Sequence, residues 1–232
     1  MVGAARILSA GDFPKVASAP VFVSLRTDRV TEALAIWENA VPAAQTPAEV
    51  YLAARGIRAP LPPTIRFSRI PCGKSKPLPC LVAAVQDTAG TVVGLQRTYL
   101  RGDGLGKADL PKPKLSLGKV AGGAIRLGEP DVTNVVVVCE GLEDGLSLRQ
   151  ELGGPVWVAA GASMLPAMQF PAGICSVVIG ADNDEAGEAA ARGAAQAFTS
   201  RGLTVRIIHP LAGFKDFNAE LIGGSHDCAS VV

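Results

Sequence analysis

Only two histidines, His209 and His226, occur in the 232 residues, and the second lies close to the C-terminal end. A Ser-His-Asp or Cys-His hydrolase therefore has little to work with. Gly161-Ala162-Ser163-Met164-Leu165 also lacks the second glycine of a nucleophile elbow. The five cysteines (Cys72, Cys80, Cys139, Cys175, Cys228) are odd in number and form no CxxC pair. This argues against a zinc site and for a reducing, cytoplasmic setting. No apolar run is long enough to span a bilayer and no signal peptide stands at the N-terminus, so no membrane partner is expected. Gly73-Lys74-Ser75 is not a phosphate loop, because Ser68 stands where its first glycine is required. The glycine-rich stretch 101–107 is followed by prolines rather than a helix, which excludes a dinucleotide fingerprint.

What is present describes an ordinary globular chain, 48% hydrophobic and 19% charged, long enough for one large domain or two small ones. The net charge of +1 conceals an asymmetry. Residues 1–130 hold 17 Lys and Arg against 9 Asp and Glu, whereas residues 131–232 hold 5 against 12. A basic half beside an acidic half suits a polyanion delivered to a cation site. The competing reading is an uneven spread of charge in a nearly neutral protein.

Residues 1–28 show no period and read as an N-terminal extension. Ala33, Leu34 and Trp37 predict a helix over 31–39 with Thr31 as its cap. Thr46-Pro47-Ala48-Glu49 predicts a second helix that ends near Gly56. Residues 60–79 are rich in proline and basic side chains. Residues 81–86 and 91–99 predict a hairpin turning at 87–90, with Gln96 and Thr98 on one face of the second strand and Arg97 on the other. Residues 111–118 continue as a basic extended segment carrying Lys112 and Lys114. Gly128-Glu129-Pro130-Asp131 marks a boundary between an α+β subdomain over 29–130 and an α/β domain over 131–222. Residues 223–232 read as a flexible tail.

Beyond the boundary, strands are predicted at 134–139, 156–160, 176–181 and 204–208, with helices at 143–152 and 185–200. Runs of valine and isoleucine alternating with helices specify a compact parallel sheet with flanking helices. Its carboxyl ends share one edge, so Glu140, after Val135–Cys139, meets Asp182 and Asp184, after Val177-Val178-Ile179-Gly180-Ala181. Asp144, four residues beyond Glu140, faces the same crevice. Carboxylates so gathered repel one another unless a cation sits among them, and their oxygens suit magnesium or manganese. A calcium loop is excluded because Ala186 and Gly193 occupy the fifth and twelfth positions. Asp184 also reads as the N-cap of the following helix, a role compatible with metal binding.

Glu140-Gly141-Leu142-Glu143-Asp144 together with Asp182-Asn183-Asp184-Glu185-Ala186-Gly187 resembles the Toprim domain shared by bacterial-type DNA primases, type IA and II topoisomerases and some nucleases. The upstream stretches 90–97 and 113–116 resemble the basic subdomain that precedes Toprim in primases, including those of phages, plasmids and mobile elements. The resemblance implies catalytic roles for Glu140, Asp182 and Asp184. It implies divalent metal held by Glu140, Asp144, Asp182, Asp184 and Asp216, and nucleic-acid or nucleotide contacts from Arg97, Arg101, Lys112, Lys114 and Lys215. Phe214 separates Gly213 from Lys215, where the family usually joins glycine and lysine. The implied activity is synthesis of short RNA primers on a single-stranded DNA template from ribonucleoside triphosphates, with a replicative helicase as a possible partner. The zinc ribbon and phosphate-loop helicase of primases are absent, which predicts either a core from a longer protein or a piece that works with partners. A Toprim nuclease and a non-catalytic nucleic-acid-binding module are the alternatives. A topoisomerase would have to use Tyr51 or Tyr99, neither of which has a strand-passage domain around it.

Overall fold

The computed structural model describes residues 28–73 and 76–227. The extension expected over 1–28, apart from Asp28, and the Lys74-Ser75 pair lie outside them. Helix α1 (Arg29–Asn39) is capped by Asp28, whose carboxylate accepts from the Val30 N–H at 3.3 Å, so it starts ahead of the predicted Thr31. Helix α2 (Pro47–Ala53) is capped by Thr46 as expected, with Pro47 in its first turn. Glu49 reaches back to the Gln45 N–H at 2.6 Å and completes the cap.

Five antiparallel strands follow in the spatial order β1-β2-β3-β4-β5: β1 (Val41–Pro42), β2 (Ile65–Pro71), β3 (Pro77–Gln86), β4 (Val92–Tyr99) and β5 (Lys114–Gly118). Part of the proline-rich basic segment is thus a strand, β2, paired along its length with β3. The second sheet has the order β10-β9-β7-β8-β6, with β6 (Ile125–Arg126), β7 (Val135–Cys139), β8 (Val156–Val158), β9 (Ser176–Gly180) and β10 (Thr204–Ile208). Strands β7, β8, β9 and β10 are parallel, as the valine-rich runs predict, but β6 is antiparallel to β8. Strand β6 precedes the predicted boundary at 128–131 and still belongs to the second sheet.

Helix α3 (Leu142–Leu152) packs on one face of this sheet, while α4 (Glu185–Thr199) and a 3-10 turn (Ala162–Ala167) cover the other. Where a tail was expected from Gly223, helix α5 (Phe217–Asp227) runs on to Asp227. One core cluster crosses both halves. Tyr51 and Leu52 of α2 and Leu81, Ala83 and Val85 of β3 pack with Leu142 and Leu146 of α3 and Val156 and Val158 of β8. Burial of this shared apolar surface seats the first sheet against α3 and β8 of the second half.

Candidate active site at the strand ends

Strands β7 and β9 pair in parallel register, Val138 opposite Ile179, so both chains leave the sheet along one edge. Glu140 follows β7 and is half-buried; Asp182 follows β9. Asp182 is half-buried, and its carboxyl is pushed up to about 7 by burial first and then by the charges of Asp144, Asp216, Glu140 and Asp184. These five carboxylates share one electrostatic field. Asp144 is 9% exposed and raised to about 6, chiefly by burial, although the Asn218 N–H donates to its Oδ1 at 3.1 Å and opposes the shift. Asp184 is exposed and held below its ordinary range by the Gly187 N–H at 2.8 Å and by Lys215, whose Nζ lies 3.5 Å from Oδ2. Asp216 caps α5 by accepting from the Ala219 N–H at 2.7 Å.

Two glycines make these positions possible. A Cβ on Gly141 would collide with the Asp144 carboxylate, and one on Gly187 would lie 2.8 Å from both the Cβ and the carbonyl oxygen of Asp182. Asn183, which the sequence reading left without a role, ties two loops together. Its N–H donates to the Lys215 carbonyl at 2.7 Å, and its Nδ2 donates to the Pro210 and Phe214 carbonyls at 3.0 and 2.8 Å. That brings Lys215 and Asp216 to the strand ends despite the extra Phe214.

An open depression of about 370 Å³ is lined by Asp182, Asn183, Asp184, Glu185, Glu188 and His209; Glu140, Asp144 and Asp216 are not among its walls. His209 Nε2 stands 3.6 Å from Glu188 Oε2. The donor set, all carboxylate oxygen around an Asp182 burdened by like charge, fits a hard divalent cation in its chemistry. Among the described residues, however, no three acidic, histidine or cysteine side chains stand close enough to cage an ion as placed. Asp144, Asp184 and Asp216 each accept instead from a backbone N–H through one oxygen.

The predicted basic contacts divide between places. Arg97 is on β4 but on the α1 side of the first sheet, sharing that face with Cys80, Val82 and Tyr99. Its buried Nε has no hydrogen-bond partner. Arg101 is exposed and paired with Asp103 at 2.7 Å, and Lys112 is exposed. Lys114 alone of these four reaches the acidic half, with Nζ 3.5 Å from Glu143 Oε2.

Glu143 was not singled out in the sequence, because beside Asp144 it looks like any first-turn acid. It is 7% exposed and accepts from the Tyr51 hydroxyl at 2.6 Å, while Lys107 Nζ lies 3.0 Å away. Burial alone would raise its carboxyl, but Lys114, Lys107 and Tyr51 together outweigh burial and pull it down to about 2. Burial and the facing Glu143 push the Tyr51 hydroxyl well above its ordinary value, so Tyr51 stays the donor.

Residues 27–127 match a domain of unknown function (DUF7146), and residues 135–225 match the Toprim domain. No curated protein matches the chain. Among solved structures, the zinc-binding and RNA polymerase domains of the Aquifex aeolicus primase share its fold with a TM-score of 0.59 at 15% identity, over 87% of this chain and 59% of that one. The primase fragment of the bacteriophage T7 primase-helicase protein is 18% identical over 78% of this chain and 66% of that one, with a TM-score of 0.49. The E. coli primase catalytic core is 15% identical over 85% and 74%, again with a TM-score of 0.49. The chain thus spans about three fifths of the length of the Aquifex structure. No helix among the described residues is long and apolar enough to cross a membrane. Residues 135–225 are a Toprim domain, carried behind an α+β unit on a fold shared with the zinc-binding and RNA polymerase domains of the Aquifex primase.

Proposed function

We propose that this chain is a primase-type nucleotidyltransferase, joining ribonucleoside triphosphates into short primers on single-stranded DNA. The observation that carries the reading is the meeting of the two halves. The Toprim acids Glu140, Asp144 and Asp182 gather at one sheet edge, and Lys107 and Lys114 of the preceding basic unit stand against that edge on Glu143. A polyanion and its counter-cation would both find partners there.

Asp182 and Asp184, with Glu140, Asp144 and Asp216 around them, are the residues that would hold magnesium or manganese. When bound, such an ion would draw in triphosphate oxygens and offset the charge that develops at the α-phosphate. Glu140, half-buried at the end of β7, takes the proton of the 3′-hydroxyl as its oxygen bonds the α-phosphorus and the bond to the departing pyrophosphate breaks. Asp182 must shed its own proton to act as a ligand, and burial, then the neighbouring acids, oppose this near pH 7. The basic half holds the template by its phosphates, so binding weakens as salt rises. A replicative helicase would be its partner.

The test is extension of primers on single-stranded DNA with magnesium, with and without ribonucleoside triphosphates. The wild-type chain should yield products only when triphosphates are present, and Asp182→Ala with Asp184→Ala should abolish them. Cleavage without triphosphates would assign a nuclease instead. Unaltered synthesis by the double variant would remove the mechanism.

A further inference from the structure

We infer that His209 is the general acid of the transfer, giving its proton to the pyrophosphate that leaves. The inference rests on the nucleotidyl-transfer reading and deepens it, since that reading supplies a base at Glu140 and no donor for the departing group.

In-line displacement sets the entering and leaving oxygens on opposite sides of the α-phosphorus. The second sheet is laid out for that division. Its order β10-β9-β7 puts the end of β9 between the other two, and the three strands are parallel. Ile208 stands opposite Gly180 and Val138 opposite Ile179, so by register His209 and Glu140 both come level with Ala181, one on each side of it. Adjacent strands lie about 4.8 Å apart, which sets the two flanking strand ends roughly 10 Å apart with the β9 end between them. A base and an acid on those two strands flank one phosphoryl group held at Asp182. The walls of the open depression follow the same division: His209 lines it with Asp182 and Asp184, and Glu140 does not.

The chain is fixed on both sides of His209. The Ala181 N–H donates to the Ile208 carbonyl at 3.0 Å, and Asn183 Nδ2 donates to the Pro210 carbonyl at 3.0 Å. The ring itself is open to a ligand. Its side chain is 40% exposed, and Glu188 Oε2, at 3.6 Å from Nε2, stands beyond hydrogen-bond reach. The charged groups around it are Asp182 and Asp184 after β9 and Glu185 and Glu188 on α4, with Lys215 paired to Asp184 and Arg192 to Glu188. A guanidinium does not give up its proton, whereas imidazole is the side-chain class that exchanges one near neutral pH. In the step, the 3′-oxygen bonds the α-phosphorus and Glu140 takes its proton. The bond from that phosphorus to the bridging oxygen breaks, His209 protonates the departing pyrophosphate, and water returns a proton to the ring.

The experiment compares primer synthesis by the wild type and His209→Gln, using ribonucleoside triphosphates and their analogues with a methylene or a difluoromethylene β,γ-bridge. The methylene analogue releases the more basic group, which depends more on a proton donor. His209→Gln should lose about a hundredfold in kcat with little change in KM, the order expected of one general acid, and should lose more with the methylene bridge than with the difluoromethylene bridge. Unchanged kcat or an equal loss with both bridges overturns the inference. A bridge-dependent loss in Lys215→Gln instead of His209→Gln also overturns it and moves the role to that lysine. Binding gives a readout apart from turnover. The chain has two histidines, so the ring-proton resonance missing from His209→Gln identifies His209. Magnesium pyrophosphate should shift that resonance in the wild type, and a resonance that does not move overturns the inference. Folding is checked by the thermal midpoint, and His209→Asn replaces His209→Gln if that variant does not fold. Absence of synthesis by the wild type sinks the nucleotidyl-transfer reading and this inference with it, whereas wild-type synthesis matched by His209→Gln sinks the inference alone.

Discussion

Asp182 concentrates the cost of assembling the site. Its carboxyl is raised from near 3.8 to about 7, so in the absence of metal the folded state holds this proton more tightly than the unfolded chain does. The stabilising contribution is complete below pH 3.8 and disappears as the pH rises through about 7. Asp182→Asn should therefore raise the thermal midpoint of the metal-free protein at pH 8 and leave it nearly unchanged at pH 4. Equal midpoints at pH 8 would show that burial and the neighbouring acids do not burden Asp182. At this scale the sequence was partly legible. Glu140 and Asp182 could be placed because each follows a run of β-branched residues that only a buried strand explains. Glu143 could not, since its partners Tyr51 and Lys107 are distant in the chain and only folding brings them to it. Arg97 was correctly set on the opposite strand face from Gln96 and Thr98, yet which face looks toward the acids depends on how the two halves pack.

At the scale of elements, the first turn of α4 is shaped by its approach to β9. Alanine normally improves a helix over glycine by about 1 kcal/mol. Gly193→Ala should follow that rule, because nothing lies within 4 Å of its added Cβ. Gly187→Ala should reverse it, costing about 1–3 kcal/mol by crowding Asp182, and should lower synthesis with it. Urea unfolding of the two variants provides the check, and stabilisation in both would mean that the Asp182 loop can yield. The elements missed in the sequence each had a local reason. Strand β2 was obscured by the prolines and arginines around it, which pairing with β3 overrides. Helix α5 was obscured by Gly223 and Gly224 near its end, and it is held by Asn218, which bonds Asp144, Arg55 and Ser147.

For the molecule as a whole, the basic and acidic halves are chemically distinct but mechanically continuous. The core cluster that contains Tyr51, Leu81 and Val85 also contains Leu142, Leu146 and Val158. A single cooperative unfolding transition is expected, seen alike by tryptophan fluorescence, with Trp37 and Trp157 in different halves, and by far-ultraviolet circular dichroism. Two resolved transitions would contradict it. The reversal of charge near residue 130 was legible in the sequence and marks where the chemistry changes. It hides the fact that Ile125–Arg126 has already crossed into the second sheet. A gene fragment starting at Asp131 would therefore encode a sheet stripped of its side rail, with the rim of Val156–Val158 left bare and ready to recruit a stray strand. Any recombination event that moves this acidic edge to a new setting must carry both halves together, as one cassette.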